Sequence, residues 1–166
     1  MNDRNIVLTG FMATGKSSVG QIIAQELDRV FFDVDTAIEH RTCLTIPRIF
    51  ANHSEPFFRA VEKGICHEIS LQRHLVIATG GGALIDTETR QTFLHSAFVV
   101  NLSASPVEIE ARLRASDARP LAGDWQGLFA QRRAIYAAMP HQVDTNARTP
   151  AEIAEEVISL WHNDSL

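Results

Sequence analysis

At 166 residues the chain is long enough for a single domain with its own core, and 45% hydrophobic with 21% charged residues is the balance of a globular chain rather than a disordered or fibrous one. A formal charge of −5, with thirteen scattered arginines and only Lys16 and Lys63 as lysines, leaves no basic run and excludes nucleic acid as an expected partner. No apolar stretch reaches membrane-spanning length, no signal peptide precedes Gly10, and the two cysteines and seven histidines lack disulfide or zinc spacing, so a cytoplasmic chain with reduced thiols is expected.

The first element is an apolar, β-branched run, Asn5 to Thr9, which reads as a buried strand. It leads into Gly10-Phe11-Met12-Ala13-Thr14-Gly15-Lys16-Ser17, a complete G-x-x-x-x-G-K-[ST] phosphate-binding loop. Val19, Ile22, Ile23 and Leu27 then recur at helical spacing. Strand, loop and helix together aim backbone N–H groups and the positive end of a helix dipole at phosphate oxygens. Lys16 is placed to reach the β- and γ-phosphates, and the Ser17 hydroxyl to ligate Mg²⁺. A glycine turn before an ordinary helix would not need this Lys and Ser at this spacing.

Val30 to Asp35 reads as a second strand, which puts Asp33 and Asp35 on one face at its carboxyl end, and Thr36 to Glu39 reads as the capping box of the next helix. The two carboxylates suit a Mg²⁺ ion, through water, or the proton of a substrate hydroxyl; one of them merely supporting the turn is the plainer alternative. A turn-prone stretch near Ala51 to Pro56 precedes a helix with Phe58, Arg59 and Glu62, where Arg59 and Glu62 alone could be a surface ion pair.

Leu75 to Thr79 is the third strand and ends in Gly80-Gly81-Gly82, either a flexible turn or a place where backbone approaches a ligand. Phe98 to Leu102 is the fourth strand. Ser105-Pro106-Val107-Glu108 caps a helix reaching about Arg114. Ala115 to Gly127 reads as a loop, helical spacing resumes at Leu128, Ile135 and Tyr136, Val143 marks a short last strand, and Thr149-Pro150-Ala151-Glu152 caps the final helix. Strands alternating with helices imply a parallel sheet covered on both faces. Arg119 in the loop is the residue type that can swing onto a γ-phosphate, although Arg119 and Arg132 taken singly are ordinary solvated side chains.

Taken together, Asp33-Val34-Asp35, Phe58-Arg59 with Glu62, the triple glycine, Arg119-Pro120-Leu121, and Arg132 before Tyr136 resemble the shikimate kinase family along nearly the whole chain. The resemblance implies an α/β, three-layer αβα P-loop fold of the nucleoside-monophosphate-kinase type. Its single domain, residues 1–166, would hold five parallel strands in the order 2-3-1-4-5. A substrate-binding subdomain near residues 34–62 and a lid near 114–125 would complete it. The activity implied is transfer of the ATP γ-phosphoryl group to the 3-hydroxyl of shikimate, a step toward chorismate and the aromatic amino acids, with Mg²⁺ as cofactor, in a monomer.

The same resemblance implies the site. Lys16, Asp35 and Arg119 would be catalytic, with Asp35 orienting or deprotonating the attacking hydroxyl. Gly10, Ala13, Thr14, Gly15, Lys16, Ser17 and Ser18 would hold the phosphates with Arg119, while Arg112, Arg148 and Pro150 flank the adenine. Arg59 and Arg132 would clamp the shikimate carboxylate, Glu62 would position Arg59, Gly80, Gly81 and Gly82 would offer backbone contacts, and Phe50 and Phe58 would line the ring pocket. Ser17 and Asp33 would hold Mg²⁺. Two departures from the family pattern lie near the substrate helices: Thr42-Cys43 where a Thr-Gly turn is usual, and Ser54-Glu55-Pro56 where Gly-Glu commonly precedes Phe-Arg. A gluconate-type kinase on the same fold and an inactive nucleotide-binding relative are the alternatives, and a substrate panel separates them. The absence of an N-K-x-D motif disfavours a guanine-nucleotide switch.

Overall fold

The computed structural model describes residues 3–115 and 124–164. Strand β1, Asn5–Thr9, is buried along its whole length at the centre of a five-stranded parallel sheet. It pairs with β3, Leu75–Ala78, on one side and β4, Ala97–Ser103, on the other. The edges are β2, Val30–Asp33, beside β3, and β5, His141–Asp144, beside β4. The order β2-β3-β1-β4-β5 is the expected one.

Side-chain alternation along β1 explains the layers. Ile6 and Leu8 point to one face, where they meet Val19 and Ile23 of α1, Lys16–Glu26, and Ile153, Val157 and Trp161 of α8, Pro150–Asp164. Val7 points to the other, into a cluster with Val34 and Ile38 of α2, Val34–Thr42, and Ile49 of α3, Ile46–Asn52. Phe58 and Ile65 of α4, Glu55–Ser70, and Phe93 of α5, Thr87–Ser96, complete that cluster. A strand covered on both faces has no polar side, so it reads as one continuous apolar run. A third, smaller cluster joins Phe11 to Ile109 and Leu113 of α6, Pro106–Arg114, and to Trp125 and Tyr136 of α7, Trp125–Ala137.

Local signals account for most boundaries. The Ser105 hydroxyl accepts from the Glu108 N–H at 3.2 Å, and Thr149 and Glu152 form a reciprocal capping box, with Thr149 N–H donating to Glu152 Oε2 at 2.8 Å. Gly10, at φ 139°, needs its missing side chain, because a Cβ there would lie 2.3 Å from the Leu102 carbonyl oxygen.

Four expectations change, one of them the loop 115–127, which ends early because the Asp124 carboxylate accepts the Gly127 N–H at 2.8 Å and starts α7 at Trp125. Strand β2 stops at Asp33, not Asp35, because the Asp33 carboxylate accepts the Thr36 N–H at 3.2 Å and starts α2 three residues earlier. Thr36 is therefore inside the helix, and Glu39 accepts instead from the Ile46 N–H at 2.8 Å, joining α2 to the start of α3. The turn-prone stretch is shorter than expected, since Ala51 and Asn52 complete α3. Helix α3 is unannounced because its 7 residues are too short a run to repeat a period, and α5 because Phe93 and Leu94 are too few to set one up. Arg119, Pro120 and Leu121, with most of the expected lid, lie outside the described residues.

Asn5 bolts the central strand to its neighbour. It is fully buried; its Oδ1 accepts from Leu75 N–H at 3.0 Å, and its Nδ2 donates to the carbonyls of Gln72 at 2.9 Å and Ile69 at 3.3 Å. Asn5→Ala strands these groups away from water and is expected to cost about 2–4 kcal/mol, read as a lower urea midpoint without a change in slope.

Candidate functional site

The carboxyl ends of β1, β2 and β3 open onto one cleft, as open α/β sheets require. Gly15, at φ 88°, precedes α1, and Ala13 also has a left-handed backbone, φ 61°, so the loop curls around a point ahead of the helix N-terminus. The Lys16 ammonium lies across that curl and donates to the carbonyls of Gly10 at 3.0 Å and Phe11 at 2.8 Å. The Thr14 hydroxyl closes the turn onto the Phe11 carbonyl at 2.9 Å. A hollow of about 260 Å³ beside the loop is lined by Ala13, Gly15 to Ser18, Asp33, Asp35, Thr79, Gly81 and Arg112.

Asp33 and Asp35 have separate placements. The Ser17 hydroxyl donates to Asp33 Oδ2 at 2.6 Å, while Asp33 Oδ1 caps α2, so Asp33 both supports the turn and faces the phosphate loop. Asp35 sits two residues further on, in the first turn of α2, and its Oδ1 borders Gly80: a Cβ on that glycine would fall 2.8 Å from it.

The glycine run gathers the remaining groups. The Cβ absent from Gly80 would also fall 2.6 Å from Glu62 Oε1, and one on Gly82 would fall 2.6 Å from a guanidinium nitrogen of Arg59. Arg59 donates to Glu62 at 2.6 Å and more distantly, at 3.3 Å, to Glu55. Arg132 donates from Nη1 to the Gly81 carbonyl at 2.8 Å, and the Tyr136 hydroxyl donates to the same oxygen. Arg59, Glu62, Gly82 and Arg132 line a second hollow of about 410 Å³; Gly81 borders the first hollow and its chain neighbour Gly82 the second. Asp35, Arg59 and Arg132 therefore come together around three residues of backbone.

Charge in this cluster is closely held. Glu62 is 3% exposed and its Oε1 has no hydrogen-bond partner among the described residues. Burial pushes its carboxyl above the usual range, Asp35 adds to the effect, and Arg59 and Arg132 oppose it. Burial likewise raises the Tyr136 phenol.

Arg112 is a strut rather than a loose cation. Its guanidinium binds Glu108 at 2.8 Å, the Ala13 carbonyl at 3.2 Å, and the hydroxyl and carbonyl of Thr145 at 3.0 and 2.6 Å, which links the phosphate loop to the segment after β5. Arg148 is held on that same segment by the Asp144 carbonyl at 2.9 Å and by Glu156 at 2.5 Å; it and Pro150 lie outside the walls of either hollow. Phe50 and Phe58 contact each other with ring centroids 4.8 Å apart, Phe50 being 45% exposed and Phe58 buried. The Arg59 guanidinium lies 5.1 Å above the Phe58 ring. Cys43, in the unusual Thr-Cys turn, caps α2 with a left-handed backbone, φ 55°, a conformation that glycine adopts freely.

Sequence reasoning gives no role to Tyr136, Glu108 or Thr145. The first two carried a signal: Tyr136 is four residues after Arg132, and Glu108 four before Arg112, so each pair shares a helix face. Thr145 carried none.

A sequence model of the shikimate kinase family matches residues 12–161. The shikimate kinase of Geobacter metallireducens is 38% identical over 160 residues, covering 93% of this chain and 89% of its own. Among solved structures, the shikimate kinase from Acinetobacter baumannii in complex with shikimate has a TM-score of 0.91 at 32% identity, over 99% of this chain and 96% of that one. The shikimate kinase from Aquifex aeolicus has a TM-score of 0.88 at 30% identity, over 98% of each chain.

The raised Glu62 carboxyl sets a pH trend with a definite sign. The folded chain holds this proton more tightly than the unfolded one, so the contribution to stability is full below the ordinary glutamate range and is lost as pH rises through the elevated folded value. Glu62→Gln is expected to flatten this part of the fall in urea midpoint as pH rises above the usual glutamate range; parallel profiles for the two proteins would contradict the assignment.

Proposed function

The chain belongs to the shikimate kinase family, and from that premise we propose how its residues transfer the γ-phosphoryl group of ATP to the 3-hydroxyl of shikimate. The observation that carries the reading is the glycine run, which sets a carboxylate, Asp35, and two guanidinium groups, Arg59 and Arg132, around one stretch of backbone beside the phosphate loop. Shikimate is a small anionic polyol, and a carboxylate for its hydroxyls with bidentate donors for its own carboxylate is the complementary set.

Phosphoryl transfer depends mainly on positioning and charge neutralisation. The backbone from Gly10 to Ser18 cradles the phosphates, with Ala13, Thr14 and Gly15 shaping the curl. Lys16 exchanges its two carbonyl partners for phosphate oxygens, and Arg119, outside the described residues, is assigned to the transferred group by its place in the motif. Arg112, Arg148 and Pro150 flank the adenine, Arg112 also bracing the loop. Ser17 and Asp33 are hard oxygen donors 2.6 Å apart, facing the phosphates, and they fit Mg²⁺, an ion that takes few protein ligands and keeps several waters. Bound there, Mg²⁺ would neutralise charge on the β- and γ-phosphates.

Asp35 accepts or orients the proton of the 3-hydroxyl as that oxygen bonds to the γ-phosphorus. The bond from phosphorus to the β,γ-bridging oxygen breaks, ADP leaves with the electron pair, and the proton passes through Asp35 to water. Arg59, held by Glu62, and Arg132, held by Gly81, grip the substrate carboxylate, Gly80 to Gly82 supply the backbone floor, and Phe50 and Phe58 border the ring. The set needs no second subunit to complete it, and the reading is of a monomer in the cytoplasm.

A coupled ADP-release assay with and without shikimate tests the reading: release that depends on shikimate supports it, and turnover of gluconate instead, or tight ATP binding without turnover, overturns it. Asp35→Asn is expected to lower kcat by about 10²-fold or more, since the hydroxyl loses its proton acceptor. Arg132→Ala is expected to raise KM for shikimate by about 10-fold or more while KM for ATP stays near normal, as loss of a charged hydrogen bond implies. An unchanged shikimate KM would remove Arg132 from the clamp.

A further inference from the structure

Two α7 side chains converge on the Gly81 carbonyl, Arg132 from Nη1 at 2.8 Å and Tyr136 from its hydroxyl. The two donors are four residues apart and so stand one above the other on the helix. Tyr136 is the buried member, its ring set in the cluster with Phe11, Ile109, Leu113 and Trp125. Its position is therefore fixed by packing, whereas Arg132 is a longer side chain reaching the edge of the second hollow.

We propose that Tyr136 is a positioning residue for the acceptor substrate: its hydroxyl fixes the Gly81 carbonyl, and through that shared oxygen holds Arg132 in register with Arg59. The inference rests on the reading of Arg132 as half of the carboxylate clamp. A peptide group is planar and trans, so a Gly81 carbonyl drawn toward α7 turns the Gly82 N–H the opposite way. Glycine at 81 and 82 offers no side chain to hold that plane, so the tyrosine hydroxyl does it from outside. Arg132 reaches that oxygen through Nη1 and also touches the Tyr136 hydroxyl, and its five-donor fork still has N–H groups for a carboxylate.

The two hydrogen bonds end on the Gly81 carbonyl, while Phe11 of the phosphate loop meets only the Tyr136 ring, which gives the proposal a signature. The ring packs and the hydroxyl positions, so Tyr136→Phe separates the two. In Y136F, KM for shikimate is expected to rise about 5- to 10-fold, the size of one hydrogen bond to a positioning group, with KM for ATP and kcat each within about 2-fold. Because the hydroxyl acts through the oxygen it shares with Arg132, adding Y136F to R132A should raise shikimate KM by less than about 2-fold more, a non-additive cycle. A full additive effect, or an equal rise in KM for ATP, would show a general packing defect and overturn the proposal.

Hydrogen exchange gives a readout that needs no substrate. Amides from Gly80 to Ile85 should exchange faster in Y136F, while β1 and β4 keep their protection; unchanged exchange in the glycine run overturns the proposal. If that run loosens in Y136F while the unaltered protein fails to phosphorylate shikimate, the positioning contact stands and the reading of the substrate falls.

Discussion

Between the end of β3 and the turn at Ala83–Ile85, the chain carries a side chain neither at Gly80 nor at Gly82, and a methyl group at either would crowd a charged group. At Gly80 the space is taken by carboxylate oxygens of Glu62 and Asp35, and at Gly82 by the guanidinium of Arg59. The middle glycine is held by its carbonyl, from Arg132 and Tyr136. The bare backbone at Gly80 and Gly82 lets the α2 and α4 side chains come this close, and the Gly81 carbonyl ties α7 to the same stretch. The sheet supplies the rest of the constraint: β3 lies between β1 and β2, so its end emerges beside both the phosphate loop and Asp33.

Charges gathered in so small a space do little for stability. A buried ion pair gains Coulomb energy but loses hydration, and the two are commonly of similar size. Glu62 illustrates the balance, with one oxygen on Arg59 at 2.6 Å and the other without a partner among the described residues. Its return is orientation: a guanidinium gripped on one edge presents the other in a fixed direction. Stability comes instead from the two apolar layers on either side of the sheet and from contacts such as the Asn5 bolt, remote from the chemistry.

Much of this was readable from residue order. The phosphate loop, the alternation of strands and helices, the caps at Ser105 and Thr149, and the sheet order carried by the family resemblance follow from local patterns with known physical meaning. The start of α2 was misjudged because Asp33 and Thr36 are both good caps, and only the folded backbone decides which one faces an open N–H. Asp35 reached the cleft all the same, from the first turn of a helix rather than a strand face. The convergence on Gly81 was not readable, since nothing local links residues more than fifty positions apart. The same holds for Arg112, whose spacing to Glu108 was visible but whose grip on Ala13 and Thr145 depends on where α6 lands.

The curl of Lys16 over its own loop has a last consequence. Its ammonium is already bonded to the carbonyls of Gly10 and Phe11, at 3.0 and 2.8 Å. Neutral solutes offer it nothing stronger than those oxygens, whereas the anionic oxygens of a polyphosphate do. The cradle thus sheathes its positive charge until a visitor arrives carrying enough negative charge to draw it out, and passing sugars meet a surface whose appetite is already satisfied.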